Sequence, residues 1–204
     1  MRLIVVRHGQ TDHNRDSIAL GRDDVPLNET GLCQARALAQ RLAGEPIAAV
    51  YASPLQRAAR TAEAVAERHG VAVVTDERLI EMDVGELDGL PYPEIRARYP
   101  GVIERWLSET GPEHPFPGGE SLIQVADRAW DVAQALAATH RDDTVAVVTH
   151  NFVILCLLCR SLGLDLARFR RLRHEVAAIS VIDFAGDRTT VVSTNERGHL
   201  ADCG

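Results

Sequence analysis

Apolar and polar positions divide the chain into short runs that suit strands and longer periodic runs that suit helices. Strand-like runs lie at 2–6 (RLIVV), 47–53 (IAAVYAS), 71–75 (VAVVT), 144–150 (TVAVVTH), 178–184 (AISVIDF) and 189–194 (TTVVST). Between them, residues 29–44 place Leu32, Ala35, Leu38, Ala39 and Leu42 on one helical face. Residues 53–70 open with Ser53 as N-cap and Pro54 at the first helical position, and close on Gly70. Residues 120–140 repeat the pattern with Leu122, Val125, Ala129, Val132 and Leu136. Strands that alternate with helices need crossover connections, so a largely parallel sheet covered on both faces is expected. The AGDR stretch before the last run is a turn signal and predicts a closing hairpin.

Residues 76–119 break this rhythm. They carry most of the prolines and little periodicity, so they read as a lid-like insertion over one end of the sheet, with short helices at 93–98 and 101–109. No repeat and no second domain is visible, and 204 residues suffice for one substantial core.

Composition narrows the classes. The hydrophobic share of 46% and charged share of 25% are those of an ordinary globular protein. No apolar run approaches the roughly 20 residues that span a bilayer, and RLIVV is too short for a secretory leader, so a cytoplasmic, membrane-free protein is expected. The net charge of −7 argues against a nucleic-acid partner. Cys156 and Cys159 form a C-x-x-C inside an apolar helix-like run without a second ligand pair, which favours core packing and a reducing compartment.

Open parallel sheets place functional groups beyond the carboxyl ends of their strands. The first strand ends at Arg7-His8, the second leads into Ser53 and Arg57, the strand at 144–150 ends at His150, and the insertion opens with Glu81. Two arginines, two histidines and one carboxyl group thus converge on one edge. Guanidiniums beside a helix N-terminus form an anion site suited to phosphate. A neutral imidazole can attack phosphorus, and a carboxylic acid can protonate the departing oxygen and then activate water. No metal or other cofactor is required.

The segment RHGQTDHN (7–14) resembles the signature of the histidine phosphatase superfamily, the phosphoglycerate mutase-like enzymes. Further matching stretches are PLNETGLCQA, YASPLQRAARTA, LIEMDVGELDG, FPGGES, VVTH and NERGHL, so the resemblance spans essentially the whole chain. It implies a three-layer α/β/α sandwich forming a single domain. It also implies His8 as the phosphorylated nucleophile, Arg7, Arg57 and His150 as the phosphate pocket, and Glu81 as proton donor and acceptor. Asn14, Gln10 and Thr11 are implied as further phosphate contacts. Asn151 stands where the family usually has glycine and would border the pocket.

The family includes phosphatases and mutases. The mutases resembled here carry a tandem arginine and a lysine in the insertion, whereas all 22 basic residues of this chain are arginine and none are adjacent there. Water is then the expected acceptor and a small-molecule phosphomonoester the expected substrate. Phosphoserine and sugar or phosphoglycerate-type esters remain open, and Val84 stands where the phosphoserine branch would carry histidine. Arg96, Arg98, Arg105, Trp106 and His114 are candidate substrate contacts, for which solvated or packing roles are the simpler reading. A phosphoglycerate mutase is the alternative, a catalytically silent phosphate-binding module a remote one, and a homodimer is left open.

Overall fold

The computed structural model describes residues 1–203. Six strands form one sheet: β1 (Arg2–Arg7), β2 (Ile47–Ala52), β3 (Val73–Thr75), β4 (Thr144–Thr149), β5 (Ile179–Ala185) and β6 (Arg188–Glu196), in the order β3-β2-β4-β1-β5-β6. The first four are parallel, and β5 and β6 form the expected hairpin, in which β5 runs antiparallel to β1 and β6 antiparallel to β5. Only the third strand is markedly shorter than its sequence run, as suits a largely exposed edge strand.

The helices are α1 (Asp12–Arg15), α2 (Glu29–Leu42), α3 (Gln56–His69), α4 (Tyr92–Arg98), α5 (Pro100–Leu107), α6 (Leu122–Thr139) and α7 (Asn151–Leu162). Strand alternation decides which helix each residue meets. On β1, Ile4 and Val6 join Leu38, Leu42, Ala58, Ala62 and Val65 of α2 and α3 in one core. Leu3 and Val5 join Val125, Ala129, Val132, Val153 and Leu157 of α6 and α7 in the other. On β4, Ala146 and Val148 face the first core, Val145 and Val147 the second. This period-two division across a sheet buried on both sides produces the three layers.

Two local expectations need correction. Ser53 does not cap α3, which starts at Gln56. Leu55 is the cap residue without a side-chain bond, and Asp24 accepts the Gln56 N–H at 2.8 Å instead. Gly70 ends α3 as expected, in the left-handed region with φ of 65°. Cys156 and Cys159 are free and buried in the core, but Cys33 and Cys203 are joined in a disulfide, with Cα atoms 5.7 Å apart. That bond departs from the free thiols that a reducing compartment would leave. No helix among the described residues is long and apolar enough to cross a membrane.

Candidate active site

Strand register builds the site. Arg7 pairs with Thr149 at the carboxyl ends of β1 and β4, so their successors, His8 and His150, emerge side by side. The two rings lie 5.1 Å apart, centroid to centroid. Ala52 of β2 pairs with Val148, which brings the next residue, Ser53, to the same edge.

His8 is 2% exposed. Its Nδ1 lies 2.7 Å from the Gly9 carbonyl oxygen, which can only accept, so Nδ1 carries the proton and Nε2 keeps its lone pair. Burial, followed by the charges of Arg57 and Arg7, holds the imidazole well below its usual pKa, and the ring is neutral.

Both arginines are anchored at their terminal nitrogens. Arg7 donates from Nη1 to the His174 carbonyl at 2.6 Å and to Asn151 Oδ1 at 3.2 Å. Arg57 donates from Nη1 to the Asp23 carbonyl at 2.6 Å and from Nη2 to the Gly21 carbonyl at 2.7 Å. Burial lowers the pKa of Arg57 to about 10, partly opposed by the acidic groups Glu81, Asp24 and Asp88, so it remains a cation at neutral pH. The Nε atoms of both arginines are buried and have no partner within the protein.

His150 caps α7, and its Nε2 lies 2.7 Å from Ser53 Oγ. With the Ser53 hydroxyl donating, Nδ1 of His150 bears the ring proton, and that atom too is buried without a partner. Burial and then Arg57 depress its pKa, which keeps this ring neutral as well.

Glu81 follows a short 3-10 turn (Glu77–Leu79) and is 4% exposed. Thr149 donates its hydroxyl to the Leu79 carbonyl at 2.6 Å, and Arg128 of α6 donates to the carbonyls of Arg78, Ile80 and Glu81. One carboxyl oxygen accepts the Met82 N–H at 2.8 Å, with a longer contact to the Phe152 N–H. Burial raises the Glu81 pKa despite these donors and the two arginines, so the carboxyl keeps its proton to higher pH than an exposed glutamate does.

The remaining candidates divide. Asn14 and Gln10 line a cavity of about 210 Å³ outside Arg7, together with His13, Tyr92 and Glu175. Thr11 is fully buried, and its hydroxyl is taken up by the capping box with Asn14 that holds the turn. Asn151 acts here as an acceptor for Arg7. Arg105, Trp106 and His114 line a different cavity of about 330 Å³, and Arg98 is exposed and paired with Glu94. Sequence reasoning missed Ser53 as the partner of His150, Arg128 as the clamp on the Glu81 loop, and the His174 carbonyl beneath Arg7. Only Ser53 lies at a strand end, where a serine hydroxyl suits a helix cap as well as a histidine partner.

Residues 3–197 match the family model of the histidine phosphatase superfamily, branch 1. The chain belongs to that family. It is 34% identical to phosphoserine phosphatase 1 of Hydrogenobacter thermophilus over 202 residues, covering 99% of this chain and 95% of the relative. Bacillus stearothermophilus YhfR superposes with a TM-score of 0.91 at 28% identity, covering 98% of each chain. A mycobacterial glucosyl-3-phosphoglycerate phosphatase complexed with VO3 superposes with a TM-score of 0.88 at 32% identity, covering 96% of this chain and 99% of that one.

Proposed function

We propose that the protein hydrolyses small-molecule phosphomonoesters through a phosphohistidine on His8. The observation that carries this reading is the set of buried nitrogens without protein partners, Arg7 Nε, Arg57 Nε and His150 Nδ1, on the side chains that surround the neutral His8 ring. Buried donors ordinarily find acceptors, and phosphoryl oxygens would satisfy all three. Two relatives named as phosphatases support the same chemistry.

The steps follow from the residues. The anchored guanidiniums and His150 hold the phosphoryl oxygens, and their charge is fixed before the reaction begins. Nε2 of His8 attacks phosphorus while Glu81 gives its proton to the departing alkoxide. Glu81, now a carboxylate, takes a proton from water, which cleaves the phosphorus–nitrogen bond and regenerates His8. Asn14 and Gln10, with the insertion residue Tyr92, form the wall facing the alcohol portion.

Transfer to water and not to a second phosphoglycerate is favoured because the insertion carries neither an adjacent arginine pair nor a lysine to grip a second anion. Its Arg98 pairs with Glu94, Arg105 lines a separate cavity, and Arg96 stands alone on the surface. With a chelator present, the enzyme should release inorganic phosphate far faster than it interconverts phosphoglycerates supplied with 2,3-bisphosphoglycerate. Rapid interconversion, or strict dependence on a divalent ion, would overturn the reading.

A further inference from the structure

Asp88 lies in the insertion, beyond a short 3-10 turn (Gly85–Leu87), outside the set of groups that meet the phosphoryl group. Its carboxylate accepts three successive backbone N–H groups, those of Gly21 at 2.7 Å, Arg22 at 2.7 Å and Asp23 at 3.0 Å. The carbonyls of Gly21 and Asp23, in that same stretch, are the two anchors of the Arg57 guanidinium. Residues 21–23 belong to no helix or strand that could hold them otherwise. They are also pressed against the insertion, since a Cβ on Gly21 would lie 2.8 Å from a Val84 methyl carbon and 2.9 Å from the Met82 carbonyl oxygen.

We propose that Asp88 is a positioning residue for phosphoryl transfer, holding the 21–23 stretch so that its carbonyls fix the plane of Arg57 and aim Nε–H at the phosphoryl group. A guanidinium is a rigid planar fork. Once Nη1 and Nη2 are each tied to a carbonyl, the direction of Nε–H is no longer free. Arg57 is fully buried, so water cannot substitute for a misplaced anchor. The Asp88 charge also favours the guanidinium cation. The insertion is thereby coupled to the phosphate clamp, and the adjoining backbone bonds, Gly89 N–H to the Ala19 carbonyl and Ala19 N–H to the Leu90 carbonyl, extend the same seam.

The inference rests on Arg57 acting as a phosphate clamp. The test is Asp88→Asn, alone and combined with Arg57→Ala. Whichever way the amide turns, its NH₂ faces at least one backbone N–H that has lost its acceptor. A displacement of about 1 Å can cost ~10²-fold in rate. Hydrolysis of p-nitrophenyl phosphate should therefore fall about 10- to 100-fold in kcat/KM, and competitive inhibition by inorganic phosphate should weaken in parallel. Coupled residues are not additive, so Asp88→Asn should cost less than about twofold in the Arg57→Ala background. Equal fold losses in both backgrounds, or phosphate inhibition unchanged in the single variant, would overturn the proposal. A second readout needs no turnover: the Arg57 Nε–H signal in a ¹⁵N–¹H spectrum, assigned by its loss in Arg57→Ala, should move in Asp88→Asn. An unmoved signal refutes positioning by Asp88. A wild-type signal that ignores added phosphate refutes instead the clamp on which it rests.

Discussion

Replacing Glu81 by glutamine should separate proton donation from phosphate binding. Glu81 is 4% exposed, and burial outweighs the two arginines and two N–H groups that favour its anion. Glutamine preserves shape and the oxygen that accepts the Met82 N–H at 2.8 Å, so the loop should stay in place. What disappears is the acidic proton. General acid catalysis is worth ~10²–10⁴-fold, or about 3–5 kcal/mol of barrier, and that loss should fall on esters whose leaving group needs the proton. An alkyl ester such as phosphoserine departs as a poorly stabilised alkoxide, whereas p-nitrophenolate leaves with little help. Rapid-quench single-turnover phosphorylation of His8 is the appropriate assay, because Glu81 also activates water in the second step. The variant should lose ~10²–10⁴-fold with the alkyl ester and far less with p-nitrophenyl phosphate. The active form is the protonated one and its pKa is raised. The wild-type alkyl-ester rate should therefore fall with rising pH along a limb above the usual carboxylate range, and the variant should lack that limb. Equal losses with both esters would refute the proton-donor role.

Two further perturbations test the supports of the site and the fold. Ser53→Ala leaves His150 Nε2 buried without its partner, which should cost about 1–3 kcal/mol in thermal unfolding and weaken inhibition by inorganic phosphate; unchanged inhibition would deny Ser53 its part in orienting the ring. Cys33→Ser should lower stability by about 2–4 kcal/mol in non-reducing buffer and make no difference in dithiothreitol; four titratable thiols in the denatured, unreduced wild type would refute the Cys33–Cys203 bond.

What the sequence made legible follows from periodicity and strand ends. Val5 and Ile4 face opposite cores because alternation along a strand admits no other arrangement, and the αL glycine at 70 is a stop that backbone sterics require. Arg7, His8, Arg57, Glu81 and His150 could be found because strands deliver their last residues to one edge. Groups that act through carbonyls were invisible, since any residue supplies one: nothing in the side chains of Gly21 or His174 announces that their backbone oxygens anchor the arginines. Arg128 and Asp88 escaped notice because they approach from elements remote in sequence. The Thr11 hydroxyl suits a phosphate contact and a capping box equally, and only the geometry shows that it forms the capping box. Cys33 and Cys203 are 170 residues apart, and spacing alone cannot pair them.

The covalent intermediate is the centre of the account, and trapping it is the most direct measurement. Enzyme mixed with ³²P-labelled phosphomonoester should be quenched in alkali and digested, because phosphohistidine is lost in acid. The label is expected on the peptide carrying His8, at a stoichiometry that rises in the burst and decays with turnover, and His8→Ala should carry none. Label on another residue, or undiminished hydrolysis by His8→Ala without any labelled protein, would contradict the account.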